Sequence, residues 1–269
     1  MSLASSLLEP CLQIVQQSGE IIKANWIKQH KVRYKGRIDL VTETDLAVED
    51  FLKNRLAALV PDAAFMAEES STLGQNPDQL CWIIDPVDGT TNFVHRIPQV
   101  GTSVALWQED RVVLAIVNVP TMKECYWAVR GEGAFCNGNV IHVSRAAKLS
   151  ETLVATGFPY DAGDHISLIM RRLVAVLPGS QGMRRIGAAS VDLSYLACGK
   201  IDAFYEDWLK PWDVAAGWLI VEEAGGKVSN FKNEPYTFYE PLLATNGLMH
   251  EELSQLLQVA DDFSQHLVC

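Results

Sequence analysis

The chain has no excess of positive charge, no Cys-x-x-Cys pair, no long apolar run and no Ser/Gly/Pro-rich linker. Each absence removes a class of protein. Lys and Arg number 22 against 33 Asp and Glu, for a net charge of -11. A surface of that sign repels nucleic-acid phosphates and anionic lipid, so direct binding to either is not expected. The six cysteines, Cys11, Cys81, Cys125, Cys136, Cys198 and Cys269, follow no metal-ligand or redox spacing. They read as reduced, mostly buried thiols. The fully apolar stretches fall far short of the roughly 18 residues of a membrane span. No basic cluster opens the chain, and Glu9 and Pro10 break its first apolar stretch. A secretory signal is therefore not expected, and the expected location is the cytoplasm.

What is present is ordinary globular composition: 269 residues, 48% hydrophobic and 20% charged. That length fits one large domain or two packed subdomains and buries roughly 70–75% of the unfolded surface. Residues 3–28 read as a helix with Leu8, Leu12, Val15, Ile22 and Trp26 on one face. A basic loop with Lys28, Lys31, Arg33, Lys35 and Arg37 follows. A second helix carries Val48, Leu52, Leu56, Leu59 and Val60, with Thr44 or Asp45 as its N-cap, and stops at Pro61-Asp62. Short β-rich runs then follow at 64–67, 81–84, 101–107, 112–117 and 124–129, separated by turn residues such as Glu109-Asp110 and Asn137-Gly138. They read as an antiparallel meander flanked by the two helices. After about residue 150, strand candidates at 153–156, 203–206, 227–229 and 242–244 alternate with helix candidates at 165–176, 188–198, 211–224 and 248–260. Such alternation indicates an α/β layer. The expected division is an N-terminal α+β subdomain, 1–150, and a C-terminal α/β subdomain, 151–269.

The chemistry concentrates in Trp82-Ile83-Ile84-Asp85-Pro86-Val87-Asp88-Gly89-Thr90-Thr91-Asn92-Phe93. Three apolar residues drive a strand inward, and the strand is expected to end on Asp85. Pro86 then turns the chain. Asp88 follows, and Gly89-Thr90 opens a short helix. Paired carboxylates at a strand end beside exposed backbone N–H groups suit a hard cation and a phosphate together. A simple Asx turn with a helix cap explains either aspartate alone, but not both behind a buried strand. Two further acidic points are Glu68-Glu69, behind the 64–67 strand, and Asp213, in Pro211-Trp212-Asp213-Val214-Ala215-Ala216-Gly217. Taken singly, these are a solvated pair and a favourable acid in a helix first turn.

Together, Glu68-Glu69-Ser70, the 82–93 block, Trp212–Gly217 and Glu223-Ala224-Gly225-Gly226 resemble the inositol monophosphatase family, Mg2+-dependent and lithium-sensitive phosphomonoesterases. The likeness spans essentially the whole chain. Arg184-Arg185-Ile186-Gly187-Ala188-Ala189 and Phe204-Tyr205-Glu206 point to its bacterial branch. Ala67 departs from the glycine or threonine that often precedes the Glu pair. The short stretch from Ser71 to Leu80 argues against the elaborated nucleotidase relatives.

The resemblance implies an α/β fold with an α+β N-terminal part, a layered αβαβα sandwich. Glu68, Asp85 and the Val87 carbonyl would bind a first Mg2+, and Asp85, Asp88 and Asp213 a second. A weaker third ion would lie near Glu68 and Glu69. Asp45 and Thr90 would orient and deprotonate a metal-activated water. The N–H groups of Gly89 and Thr90 would hold phosphate oxygens. Asp88, Gly187, Ala188, Ala189, Glu206 and Asp213 would line the polyol side. The metal reconciles an acidic site with a doubly anionic ester, because bound cations invert the local field.

With no Ser elbow and no Cys-x5-Arg loop, water is the expected nucleophile. His95 reads as solvent-facing or structural rather than catalytic. Arg184 and Arg185 read either as surface ion pairs or as partners of a neighbouring subunit or of site carboxylates. Lys35, near Asp39, reads either as a solvated basic residue or as part of a loop that orders over the third ion. The expected substrate is an inositol monophosphate. Fructose-1,6-bisphosphate, histidinol phosphate and a 3'-phosphoadenosine nucleotide stand as alternatives. The expected assembly is a homodimer. Some bacterial members of the family engage the transcription machinery, so a role as an interaction protein stands beside the enzymatic one.

Overall fold

The computed structural model describes residues 2–28, 32–34, 40–70, 80–159 and 162–262. Lys35, Asp39 and the 71–79 stretch lie outside the described residues. Helix α1 is Leu3–Asn25, followed by a small antiparallel pair, β1 (Val32–Tyr34) and β2 (Leu40–Thr42), and by α2 (Glu43–Leu59). A seven-stranded sheet comes next, in sequential order: β3 (Ala64–Ala67), β4 (Cys81–Asp88), β5 (Gly101–Gln108), β6 (Arg111–Val119), β7 (Glu124–Val129), β8 (Ala134–Cys136) and β9 (Asn139–Val140). Its pairs are antiparallel except β3 with β4. The hairpin turns are those that the sequence marks. Glu109-Asp110 and Asn137-Gly138 all have φ between 50° and 79°, the paired left-handed geometry of a two-residue turn that matches strand twist. The short helix α3 is Thr90–His95.

The remaining strands form a five-stranded sheet in the order β11 (Gly182–Arg184), β10 (Leu153–Thr156), β12 (Ala203–Glu206), β14 (Leu242–Thr245), β13 (Lys227–Asn230). Helices α4 (Ala162–Val176), α5 (Ala189–Ala197), α6 (Pro211–Glu223) and α7 (His250–Asp262) complete the fold.

Strand alternation sorts the layers. On the large sheet, Trp82, Ile84, Val104, Leu106, Leu114 and Ile116 pack with Leu7, Val15 and Ile22 of α1 and Val48, Leu52 and Leu56 of α2. The residues between them, Ile83, Ala105, Ala115 and Val117, pack with α5 and α6. Those two helices also meet Phe204, Leu242 and Ala244 of the small sheet. Tyr205 and Leu243, one residue out of phase, pack instead with Val176 of α4 and Leu253 and Leu257 of α7. The order is therefore helices, sheet, helices, sheet, helices: the expected αβαβα sandwich. Helices α5 and α6 are apolar on nearly every side because they form the middle layer.

That layer depends on a close approach. A Cβ added at Gly217 would lie 2.5 Å from Leu193 Cβ, so α6 crosses α5 where no side chain fits. Alanine normally gains about 1 kcal/mol over glycine inside a helix, whereas forced overpacking costs about 1–3 kcal/mol. Gly217→Ala is expected to lower the urea midpoint. An unchanged or higher midpoint means that the two helices separate freely.

Two local expectations need correction. The N-cap of α2 is Thr42, not Thr44 or Asp45. Its hydroxyl accepts the Thr44 N–H, and Asp45, three positions on, closes a capping box. Strand β4 does not end on Asp85 but runs to Asp88, with a register shift against β5 between these two residues. Pro86 is tolerated there because the irregularity removes the need for its missing donor.

Candidate active site

The bulge in β4 is what aims the acids. Asp85 and Asp88 stand on either side of it, 2% and 8% exposed. They open into a cavity of about 740 Å³ that is also lined by Glu68, Val87, Gly89, Thr90, Gly187, Ala188, Ala189, Glu206 and Asp213. These residues come from β4, β12, α3, α5 and α6, from the turn after β3 and from the residues just before α3 and α5, so both sheets and the middle layer meet at the site. Every residue that sequence reasoning placed in the site lines this cavity, except Asp45 and Glu69.

Asp45 reaches the site from behind. It is fully buried in the first turn of α2. Thr42 donates its backbone N–H (3.0 Å) and its hydroxyl to Oδ2. The Thr90 hydroxyl donates to Oδ1 at 2.8 Å and lies 3.0 Å from the Val87 carbonyl. A hydroxyl has one proton, so these two acceptors compete for it, and the carboxylate is the stronger. Glu69 does not line the cavity, and its backbone N–H donates to the buried Glu49 carboxylate at 2.9 Å. Glu49 carries no signal in the sequence beyond its place on α2.

Three of the acids each accept from a donor of their own. Asp85 Oδ1 accepts the Val87 N–H at 3.0 Å. Asp88 Oδ2 accepts the N–H and hydroxyl of Ser190 at 2.7 and 2.6 Å. Asp213 Oδ2 accepts the Lys210 N–H at 2.7 Å, the reciprocal half of a first-turn cap. Gly89 has φ 88°, and a Cβ there would meet the Gln99 carbonyl at 3.0 Å and Ala188 at 3.1 Å. Only glycine admits that approach, which leaves backbone N–H groups at the start of α3 beside the acids.

The electrostatics are those of anions held together. Burial, then Glu68, Asp88, Asp213 and Asp45, pushes the Asp85 carboxyl well above the ordinary carboxylate range. Asp213 is likewise raised, by burial and then by Asp88 and Glu68, against the Lys210 N–H. Burial raises Asp88 to about 6 against the Ser190 bonds. Glu206 rises to about 8, from burial and from Asp213, opposed by Arg185. Asp45 is raised by burial, against its Thr42 and Thr90 bonds.

Among the described residues, no group of three His, Cys, Asp or Glu side chains is close enough to form a ready-made metal cage. The donor set itself is hard oxygen only, which fits Mg2+, an ion that keeps several waters and needs few protein ligands. A divalent cation is also the group that would relieve the raised carboxyls.

Several residues at the site escaped sequence reasoning. Ser190 holds Asp88 from 102 positions away. Arg185, left open by the sequence, lines the cavity, and its charge acts on both Glu206 and the buried Asp192. Phe158, Asp207 and Trp208 complete one wall. His95 is exposed, as expected. Glu223 is structural: its carboxylate accepts the N–H groups of Gly131 and Gly133 at 2.8 and 2.9 Å. Gly225, at φ 89°, ends α6. Among the described residues, no helix is long and apolar enough to cross a membrane.

The family described as "Inositol monophosphatase family" matches residues 4–262. An inositol-1-monophosphatase of Synechocystis is 39% identical over 260 residues, 96% of this chain and 91% of that protein. The Nus factor SuhB of Escherichia coli K12 is 36% identical over 227 residues, 84% of this chain and 85% of that one. The extragenic suppressor protein suhB of Bartonella henselae superposes with a TM-score of 0.87 at 34% identity, covering 93% of this chain and 97% of that one. With the sandwich fold and the acid-lined cavity, these matches establish that the chain is a member of the inositol monophosphatase family of phosphoric monoester hydrolases.

Proposed function

We propose that this chain hydrolyses inositol monophosphate to inositol and phosphate with Mg2+. The observation that carries the reading is the buried Asp45–Thr90 hydrogen bond, 2.8 Å long, beside a cavity ringed by Glu68, Asp85, Asp88 and Asp213. In this reading those four carboxylates and the Val87 carbonyl hold about two or three ions. A divalent cation held by these oxygens would supply charge neutralisation for the ester, a lowered pKa for a bound water and stabilisation of the leaving alkoxide. The attacking water would give its proton to the Thr90 oxygen as Thr90 passes its own proton to Asp45 Oδ1, 2.8 Å away, and the departing alkoxide would take a proton from solvent. A carboxyl held above its usual range is a better base at neutral pH than an ordinary aspartate. The N–H groups of Gly89 and Thr90 hold phosphate oxygens. Ala188 and Ala189 keep the facing wall small, with Gly187 at its edge; Arg185 and a bound cation would favour the ionised form of Glu206, which then accepts hydrogen bonds from ring hydroxyls alongside Asp88 and Asp213.

The working form in this reading is a cytoplasmic homodimer of two-subdomain chains, divided near residue 150. Lithium inhibits it by occupying part of the ion site.

The test is kcat/KM with Mg2+ for inositol 1-phosphate, fructose-1,6-bisphosphate, histidinol phosphate, a 3'-phosphoadenosine nucleotide and β-glycerophosphate. Glu206→Gln belongs in the same panel. It replaces a carboxylate with an amide that has one acceptor oxygen and two donor hydrogens. Loss of such a contact is worth about 1–3 kcal/mol, or roughly 5- to 150-fold in kcat/KM. The loss is expected on inositol 1-phosphate and not on β-glycerophosphate. Equal losses on both would mean that Glu206 does not read the polyol.

A second reading, contact with the transcription machinery, is favoured by the 36% identity to a Nus factor. A pulldown with RNA polymerase tests it, and no retention of the chain removes it.

A further inference from the structure

The turn that leaves β12, Glu206-Asp207-Trp208, is held in an unusual shape. Trp208 has φ 63°. A bulky side chain in the left-handed region is an outlier, and the surrounding structure must impose it. The imposing contacts are specific. Asp207 Oδ1 accepts the Trp208 N–H at 2.8 Å. Asp207 Oδ2 lies 3.3 Å from both terminal nitrogens of Arg172. The Trp208 ring stacks on His165 of α4 at 4.2 Å.

Arg172, also on α4, is only 5% exposed. Its other partner is Asp261 on α7, bound through Nε and a terminal nitrogen at 2.7 and 3.0 Å. Its guanidinium lies 4.7 Å from the Phe231 ring. One buried cation therefore ties α4, α7 and the turn together. Glu206 is pinned from the opposite side. A Cβ added at Gly157 would lie 1.9 Å from its Oε2, so the carboxylate rests directly against that glycine. Glu206, Asp207 and Trp208 all line the cavity, while Arg172 stands behind them. A buried ion pair is weak evidence of stability, since apolar residues of similar volume do as well. It does define a conformation.

We propose that Arg172 is a positioning residue: through Asp207 it holds the Glu206–Trp208 turn in the one shape that presents Glu206 to the leaving group, and so sets discrimination among phosphate esters. The inference rests on the proposed reading of this wall as the leaving-group side.

The test compares the two arms of the same guanidinium. Arg172→Lys keeps the charge but loses the planar fork. Asp207→Asn weakens the arm to the turn, and Asp261→Asn weakens the arm to α7. The measurement is kcat/KM with Mg2+ for cyclic-polyol, sugar and nucleoside monophosphates, each divided by the value for β-glycerophosphate, with Tm taken alongside. Arg172→Lys and Asp207→Asn are expected to compress the leading preference by roughly 5- to 10-fold, mainly through KM. For Arg172→Lys, which lies behind the cavity wall, β-glycerophosphate hydrolysis stays within about twofold. Asp261→Asn lowers Tm but leaves the preference intact. The inference is overturned if Arg172→Lys and Asp207→Asn leave the preference unchanged, if all esters fall together, or if Asp261→Asn compresses it equally. A wild type without any preference over β-glycerophosphate overturns it too. If another ester leads the panel, the inositol reading falls, and compression of that ester's lead still decides the role of Arg172.

Discussion

Asp85→Asn is expected to lower kcat/KM by roughly a thousandfold, about 4 kcal/mol of transition-state stabilisation. It is also expected to raise the stability of the metal-free chain. Both effects have one cause. Asp85 is 2% exposed and is pushed up by burial and by Glu68, Asp88, Asp213 and Asp45. A folded-state pKa above the unfolded one means that the native state binds more protons, so stability falls as pH rises. For the metal-free chain the window opens near pH 4, the ordinary carboxylate value. It runs through about 6 for Asp88 and about 8 for Glu206.

Removing one anion relieves that repulsion, while adding Mg2+ relieves it through binding. The rise in Tm on adding Mg2+ should therefore be larger at pH 8 than at pH 5 in the wild type, and smaller in Asp85→Asn. Calorimetry with and without EDTA reads both. A Tm that ignores Mg2+ at pH 8 would contradict the assignment of these acids to a cation.

The second large effect is expected at Asp45 and Thr90, the pair proposed to activate water. Thr90→Ala and Asp45→Asn should each lower kcat by about 10²- to 10⁴-fold, with little change in KM. The two are joined by a 2.8 Å hydrogen bond and, in the proposed reading, act on one proton. The double variant should therefore lose little more than the worse single variant, because residues that act as a unit are not additive. Asp45 has a further task, since it accepts the Thr42 N–H in the α2 capping box. Asparagine keeps an acceptor there, so Asp45→Asn should keep most of its stability, whereas Asp45→Ala loses a cap worth about 1 kcal/mol. Steady-state kinetics and urea melts on the same variants separate the two tasks. An additive double variant would mean that Thr90 and Asp45 do not share a step.

What the sequence makes legible is local. Strands β3, β7, β10 and β12 have the bounds read from their β-rich runs. The two hairpin turns follow from Glu109-Asp110 and Asn137-Gly138. The 82–93 block announces its carboxylates because two acids rarely follow three buried apolar residues. The end of β4 was misread because a bulge is a tertiary event: pairing with β5 resumes at Asp88 opposite Gly101, which proline at 86 conceals. The Thr42 cap was missed because Asp45 is the more conspicuous acid.

The wall around Arg172 was not legible at all. Arg172 reaches Asp207 over 35 positions and Asp261 over 89, and no pattern on α4 distinguishes it from its half-buried neighbour Arg171, which binds the Ala260 carbonyl instead. Trp208 is similarly silent, because nothing in Asp207-Trp208-Leu209 marks a left-handed residue. The order of the five layers came from family resemblance, not from periodicity. Periodicity identifies which strand faces are buried but not which helices cover them.

The most direct test of the central claim is the hydrolysis of inositol 1-phosphate by the Mg2+-loaded wild-type chain, measured as kcat/KM against β-glycerophosphate. Inositol 1-phosphate is expected to be favoured by at least about fivefold, with the activity lost in EDTA and restored by Mg2+. Equal hydrolysis of the two esters, or phosphate release that continues in EDTA, would contradict it.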